Sequence, residues 1–243
     1  MTVSTPPKLD VEDLGRMAYA PALAYQRETN AAVIDGRRPP TLLLVEHEPV
    51  ITITRRPAAA GHLLASREEL DRLGIEVQET DRGGDITYHG PGQLVAYPIL
   101  RLAPLGLNLS SYMRLLEQVV IDTLAQEDVA AFRVERCTGV WAPAVAAAPV
   151  GAACDAGPTT RAKICAMGVR IRRNTTMHGL ALNVAPNLDH FNTIVPCGIA
   201  GHGVTSIAQQ RPARPPRMHD VKARLVETMR RSLHQLERGR SVA

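Results

Sequence analysis

Lys163 and Cys197 are the two residues whose types and settings suit a group-transfer reaction. Cys197 lies in Val195-Pro196-Cys197-Gly198-Ile199, between a proline and a glycine. Such a loop can expose a sulfur and turn backbone N–H groups toward a developing oxyanion, although a cysteine taken alone is more often buried and inert. Cys165, inside an apolar run, and Cys137, beside Arg136, fit the inert reading better. Lysine is scarce: Lys8, Lys163 and Lys222 stand against 25 arginines. An internal lysine in a chain that otherwise uses arginine points to something guanidinium cannot do, such as giving up a proton. The plainer alternative is a rim residue that snorkels from the start of an apolar strand. In a regular strand Lys163 shares one face with Cys165 and Met167, and Ala166 and Gly168 take the other.

A second group is Arg82-Gly83-Gly84-Asp85-Ile86-Thr87-Tyr88-His89-Gly90-Pro91-Gly92-Gln93, four glycines in twelve residues. Glycines let backbone approach a ligand closely, and the polar side chains between them orient it; a glycine-rich hairpin with a surface histidine is the bland reading. The run matches neither a phosphate-binding P-loop nor a dinucleotide fingerprint, so ATP and NAD dependence gain no support. His89, His178, His190 and His202, with Cys197, are ligand types without any metal-binding spacing, and no metal centre is expected.

These residues need a scaffold. At 243 residues, 45% hydrophobic and 21% charged, the chain can bury a core without disulfides or metals. Pro21 to Gly36 reads as a helix, with proline in its first turn and glycine at its stop. Thr41 to Glu46 and the β-branched Val50 to Thr54 read as strands, and the Glu48-Pro49 turn between them suggests a hairpin. Ser66 to Leu73 is helical; Ile86 to Tyr88 and Leu94 to Ile99 are strands on either side of Gly90-Pro91-Gly92. Tyr112, Leu115, Leu116, Val119, Thr123 and Leu124 recur at helical spacing within Ser110 to Gln126. Phe132 to Val134, Val140 to Ala142, Ile164 to Ile171 and Gly179 to Val184 follow as strands, the last two joined by a polar turn at Arg172 to Thr176. Val221, Leu225, Met229, Leu233 and Leu236 mark a closing helix. Pro143 to Arg161, rich in Ala, Gly, Pro and Thr and containing Cys154, reads as a mobile surface loop. The strand-rich middle does not alternate as β-α-β, so the expected fold class is α+β, a mixed β-sheet with flanking helices.

Charge is uneven. Residues 211–243 hold nine Lys/Arg against three Asp/Glu. With only eight aromatics in the chain, stacking platforms for nucleic acid are scarce, and an acidic protein is the better-suited partner; a solvated helix face is the alternative. No apolar run approaches the ~18 residues of a membrane helix, and Met1 to Asp10 lacks signal-peptide order. Four cysteines without a C-x-x-C pair suit reduced thiols, and a cytoplasmic location is expected.

Taken in order, Glu46-His47, the Arg82 to Gln93 block, Gly139-Val140-Trp141, Lys163 to Gly168, His178 to Asn183, Pro196-Cys197-Gly198 and Val204-Thr205-Ser206 closely resemble the lipoyl(octanoyl) transferases. The resemblance covers about residues 15–210 and implies a fold like the catalytic domains of lipoate and biotin protein ligases, in one domain spanning 1–243 with a basic C-terminal helix or tail. It implies transfer of an octanoyl group from the phosphopantetheine thioester of acyl carrier protein to a specific lysine of a lipoyl domain, as in 2-oxoacid dehydrogenase complexes and the glycine-cleavage H protein. No resident cofactor, nucleic acid or membrane enters. Carried onto this sequence, Cys197 matches the acyl-thioester nucleophile and Lys163 the residue that lowers its pKa. Arg82, Gly83, Gly84, Asp85, Ile86, Thr87, Tyr88, His89, Ala166, Met167, Gly168, Gly179, Leu180 and Ala181 match acyl-substrate contacts. We further expect His89 and Tyr88 to close the mouth of an acyl slot, with Tyr97 and His47 behind them. Thr54 departs from the family pattern, standing where many members have glycine, and the Pro143 to Arg161 loop is longer than expected.

Three other readings compete. An ATP-dependent ligase of the same fold would adenylate a free acid and release pyrophosphate. A non-catalytic acyl-carrier or lipoyl-domain binder would form no covalent adduct. A cysteine amidase would need a glutamate, and none sits in a comparable motif.

Overall fold

The computed structural model describes residues 9–145, 160–195 and 203–240. In chain order these form β1 (Asp10–Met17), α1 (Tyr19–Ile34), β2 (Thr41–His47), β3 (Val50–Thr54), α2 (Arg67–Leu73), β4 (Glu76–Thr80), β5 (Ile86–His89) and β6 (Gln93–Ile99). There follow α3 (Leu102–Leu105), α4 (Leu109–Ala125), β7 (Phe132–Val134), β8 (Cys137–Pro143), β9 (Arg161–Arg172), β10 (Thr175–Asn183), β11 (Gly203–Val204), α5 (Ile207–Gln210) and α6 (Met218–Arg240). Short 3-10 turns occupy Ala59–His62 and Leu188–Thr193.

Period-two alternation sorts the main sheet into two faces. Its order is β1-β2-β6-β10-β9-β8-β7, with β11 added alongside β9. β1 and β2 run parallel, as do β11 and β9, while the other neighbours are antiparallel. Leu42, Leu44, Leu94, Ala96, Leu180 and Leu182 face a core shared with Tyr112, Leu116 and Val120 of α4 and Val221, Leu225 and Met229 of α6. Leu43, Val45, Val95, Tyr97 and Ala181 face the other way, toward Val33 of α1. The α+β expectation is borne out: a mixed sheet lies between helices.

The expected hairpin of Thr41 to Glu46 with Val50 to Thr54 is not formed. β2 lies inside the main sheet, whereas β3 is the centre of a separate three-stranded sheet, order β4-β3-β5. Glu48 and Pro49 carry the chain across instead of reversing it, because β2 already has β1 and β6 on its two edges. β1 and β4 were not legible as strands. Asp10, Glu12, Asp13 and Arg16 interrupt the first, and Glu76, Gln78 and Glu79 the second; both are edge strands, where polar residues are favoured. Residues 146–159 of the expected Pro143 to Arg161 loop, with Cys154, lie outside the described residues.

Local chemistry explains several boundaries. Asn108 caps α4 in a reciprocal box with Ser111. The β9–β10 hairpin turns through Arg173 and Asn174 at φ 45° and 61°, the left-handed pair that a two-residue hairpin demands. No helix among the described residues is long and apolar enough to cross a membrane.

Candidate functional site

Small residues in the middle of the main sheet open a slot on its α1 face. β9 brings Ala166, Met167 and Gly168, and β10 brings His178, Gly179, Leu180 and Ala181. Val95 and Tyr97 of β6, Thr87 and His89 of β5, Arg82 and Tyr19 complete the lining, around about 30 Å³ of free volume. A space of that size holds about one or two waters.

The glycine-rich run reaches this slot because the second sheet stands beside it. Gly83 N–H donates to the Val169 carbonyl at 2.9 Å, docking the run on a part of β9 that the β8 ladder does not reach. Arg82 crosses to β3, its guanidinium donating to the Thr52 carbonyl at 3.1 Å and hydroxyl at 3.0 Å. Thr54, the departure from the family pattern, donates its hydroxyl to the Gly84 carbonyl at 3.2 Å and so ties the same run.

Alternation along β5 divides the candidates. Thr87 and His89 face the slot, whereas Ile86 and Tyr88 face a satellite core with Ile51, Phe191 and Ile194. The mouth-closing position expected for Tyr88 is therefore not the one it holds; its hydroxyl lies 2.7 Å from His190 Nδ1, and burial pushes its pKa up to about 12. Asp85 also turns from the slot, its Oδ2 2.6 Å from His62 Nδ1. Gly83 and Gly84 serve as backbone, and His47 stands behind Tyr97.

A neutral polar wall closes one side. His47 Nδ1 lies 3.0 Å from the Met17 carbonyl, which can only accept; Nε2 therefore accepts from the Tyr97 hydroxyl at 2.7 Å. Burial lowers the His47 pKa to about 4. His89 donates from Nδ1 to Gln93 Oε1 at 2.7 Å, an orientation held because Gln93 Nε2 donates to the Tyr88 carbonyl and Asn183. This leaves Nε2 an acceptor, and burial, with the neighbouring His47, lowers the His89 pKa to about 3. His178 contacts Asp81 Oδ1 through Nε2 at 2.9 Å. Burial pushes the Asp81 carboxyl up, but the bond to His178 and the charges of Arg170 and Arg27 outweigh it and the net shift is downward. Sequence reasoning left Tyr19, Val95 and His178 out of the slot, and Asp81 out of its support behind His178; only the His178-Gly179 pair sat inside a recognised motif.

Lys163 is 8% exposed and does not line the slot, yet it occupies the slot's face of the sheet. Regular alternation would have put it with Cys165, and the ladder shows why it is not there. Val140 pairs with Cys165 and Trp141 with Lys163, so β9 carries one extra residue, Ile164. Ile164 and Cys165 both enter the α4 core, and Lys163 is turned to the side of Trp141, its Nζ 4.8 Å from the ring centroid. Burial pushes the Cys165 thiol well above its usual pKa, matching the inert reading.

Cys197 lies outside the described residues, but the anchors of its segment do not. Before it, Val195 N–H donates to the His62 carbonyl at 2.8 Å. After it, Gly203 and Val204 pair with Ala162 and Lys163, and Thr205 N–H donates to the Lys163 carbonyl at 3.0 Å. Among the described residues no three His, Cys, Asp or Glu are grouped to hold a metal ion.

Comparison with known proteins agrees with this architecture. The family profile of the lipoyl protein ligase A/B catalytic domain matches residues 18–230. An octanoyltransferase of Syntrophotalea carbinolica is 44% identical over 90% of this chain and 91% of its own length. Those of Chloroflexus aggregans and Mycobacterium leprae are 42% and 41% identical, over 91% and 95% of this chain and 93% and 90% of theirs. In shape the chain is similar to a bipartite lipoate protein ligase from Thermoplasma acidophilum, with TM-score 0.64, 15% identity and coverage of 93% and 84% of the two chains. A lipoate-protein ligase A bound with ATP gives TM-score 0.62, 15% identity and coverage of 95% and 86%. These structures speak for the fold; the close sequence relatives speak for the branch. The chain belongs to the lipoyl protein ligase A/B catalytic-domain family, within it to the octanoyltransferases, and is an acyltransferase.

Proposed function

We propose that this protein moves an octanoyl group from the phosphopantetheine thioester of acyl carrier protein to a lysine of a lipoyl domain, through a thioester on Cys197. The acceptors are lipoyl domains of 2-oxoacid dehydrogenase complexes and the glycine-cleavage H protein, and the setting is the cytoplasm. The observation that carries the reading is the placement of Lys163: buried, on the slot's face, and on the strand to which the chain returns from Cys197.

The chemistry balances without ATP or a resident cofactor. The Cys197 thiolate attacks the donor carbonyl; a carbon–sulfur bond forms, another breaks, and the pantetheine thiolate takes a proton from Lys163. Exchange of one thioester for another is nearly isoenergetic. The neutral Lys163 amine then accepts a proton from the incoming lysine as that lysine's nitrogen displaces Cys197, leaving an amide and restoring the Cys197 thiolate and the Lys163 ammonium. Arginine could supply the charge but not the proton. The small residues Ala166, Gly168, Gly179 and Ala181 give the acyl chain a path between strands. At about 0.8 kcal/mol per CH₂, burial of the octanoyl tail contributes roughly 5 kcal/mol.

Intact-protein mass after incubation with octanoyl-acyl carrier protein, without ATP, tests the reading. One added octanoyl group, released by hydroxylamine and absent from Cys197→Ser, is expected. An unmodified parent that octanoylates a lipoyl domain only with ATP and free octanoate would replace it with the ligase reading.

A further inference from the structure

Glu117 is a carboxylate in the core, 2% exposed on the inner side of α4, and nothing in the transfer chemistry above uses it. Three donors reach it. Arg114 Nη1 stands 2.7 Å and Arg133 Nε 3.1 Å from Oε2, and the backbone N–H of Gly139 donates to Oε1 at 3.3 Å. The two arginines balance its charge from positions partly open to solvent, at 57% and 34% exposure, which is how a buried acid is tolerated.

The third donor sets this carboxylate apart from an ordinary buried ion pair. A strand N–H normally goes to the neighbouring strand, yet that of Gly139 goes to a helix side chain. The cause is adjacent: the β8–β9 ladder slips between Val140 and Trp141, where Ile164 is the extra residue. Gly139, at φ +111°, lies so close to β9 that a Cβ on it would stand 2.5 Å from the Cys165 carbonyl oxygen and 3.7 Å from Lys163 Cε. The same slip turns Lys163 away from the core and onto Trp141.

We propose that Glu117 is a positioning residue for Lys163. Its Oε1 holds the Gly139 N–H that the slipped ladder leaves over, the glycine's lack of a side chain leaves room for the Cys165 carbonyl, and the resulting bulge keeps the Lys163 amine over Trp141. The structural part stands by itself; the catalytic part rests on the reading of Lys163 as the proton carrier.

Trp141 is the only tryptophan in the chain, so its emission reports directly on the Lys163 contact whether or not the protein turns over. The variants are Glu117→Leu, Glu117→Gln, Gly139→Ala and, as reference, Lys163→Met. Glu117→Leu should lower kcat for octanoyl transfer at least ~10-fold per folded molecule, with KM for octanoyl-acyl carrier protein within about 2-fold of the parent. Its Trp141 emission should move toward that of Lys163→Met. Glu117→Gln, which keeps an oxygen acceptor for Gly139, should regain most of kcat and the parental emission. Gly139→Ala provides the same readout without touching the buried acid and should reproduce both changes should Glu117→Leu fail to fold.

Parental kcat and parental emission in Glu117→Leu or, failing its folding, in Gly139→Ala would overturn the proposal. So would losses in Gln and Leu variants that merely follow the folded fraction while emission stays unchanged. A parent that forms no octanoyl adduct would overturn the transferase reading instead, and the emission comparison would still decide the positioning.

Discussion

Gly168 and Gly83 meet backbone to backbone: a Cβ on Gly168 would stand 2.5 Å from the Gly83 carbonyl oxygen, while Gly83 N–H donates to Val169 at 2.9 Å. The absence of a side chain at Gly168 is what lets the glycine-rich run lie on β9 and present Arg82, Thr87 and His89 to the slot. Gly168→Ala should destabilise the fold by about 1–3 kcal/mol, since backbone and not a flexible side chain must give way. Urea unfolding measures this. Parental stability would show that the run can lift off β9 at no cost.

Lys163→Arg separates charge from proton transfer. Arginine keeps a cation for Trp141 but cannot deprotonate, so transfer to a lipoyl domain should fall about 10²–10⁴-fold. The rate of acyl transfer in a quenched-flow assay is the measurement, and a variant within a few-fold of the parent would leave Lys163 a purely electrostatic role.

Acid sensitivity follows from the neutral wall. Burial depresses His47 to about 4 and His89 to about 3, below the 6.5 of the free side chain. Between those values and 6.5 the unfolded chain binds protons that the folded one refuses, so stability falls as pH drops through that window. The slope is up to about 1.4 kcal/mol per pH unit for each histidine. Urea midpoints from pH 7 to pH 4.5 should fall less steeply in His89→Gln, by close to one proton. Parallel slopes would mean that His89 is already charged in the fold.

Asp81 holds His178 on the slot wall and is flanked by Arg170 and Arg27. Its carboxyl is depressed on folding, so its contribution is present above the usual aspartate range and is lost as pH falls through the lower folded value. Arg170 is 42% exposed and its share is screened by water; the bond to buried His178 matters more. Asp81→Asn should lower the melting temperature by a few degrees, from a loss of about 1–2 kcal/mol, and raise KM for the acyl donor. An unchanged KM would take His178 out of substrate contact.

The basic C-terminal segment is more than a solvated surface. Val221, Leu225 and Met229 are fully buried in the main core, and buried Glu127 is paired with Arg211 and Arg224. Glu127→Ala leaves Arg211, 14% exposed, with Asp128 as its remaining acidic neighbour and should cost about 1–3 kcal/mol. Thermal melts test this; a loss below about 1 kcal/mol would make the cluster a surface pairing.

The reading of α4 and α6 succeeded because apolar residues at helical spacing record one buried face without reference to the rest of the chain. The β9–β10 hairpin was equally local, since its turn depends on Arg173 and Asn174 alone. Strand partners were not local. Val50 to Thr54 reads the same whether it folds back on β2 or crosses into another sheet, and the competition for edges decided the matter. Polar edge strands such as β1 and β4 carry no apolar alternation to read.

For the site, residue types and spacing singled out the glycine-rich run and Lys163, while the small residues of β9 and β10 came with the family resemblance. What the tertiary structure decided was direction. Alternation on β5, referred to a slot on one side, sends His89 in and Tyr88 out. One extra residue at Ile164 reverses the side on which Lys163 lies, and the carboxylate paired with that bulge comes from a helix distant in the chain. A strand's side-chain period is a local property of its backbone, whereas a bulge exists only in relation to the partner strand it is counted against, and no single segment of sequence contains both.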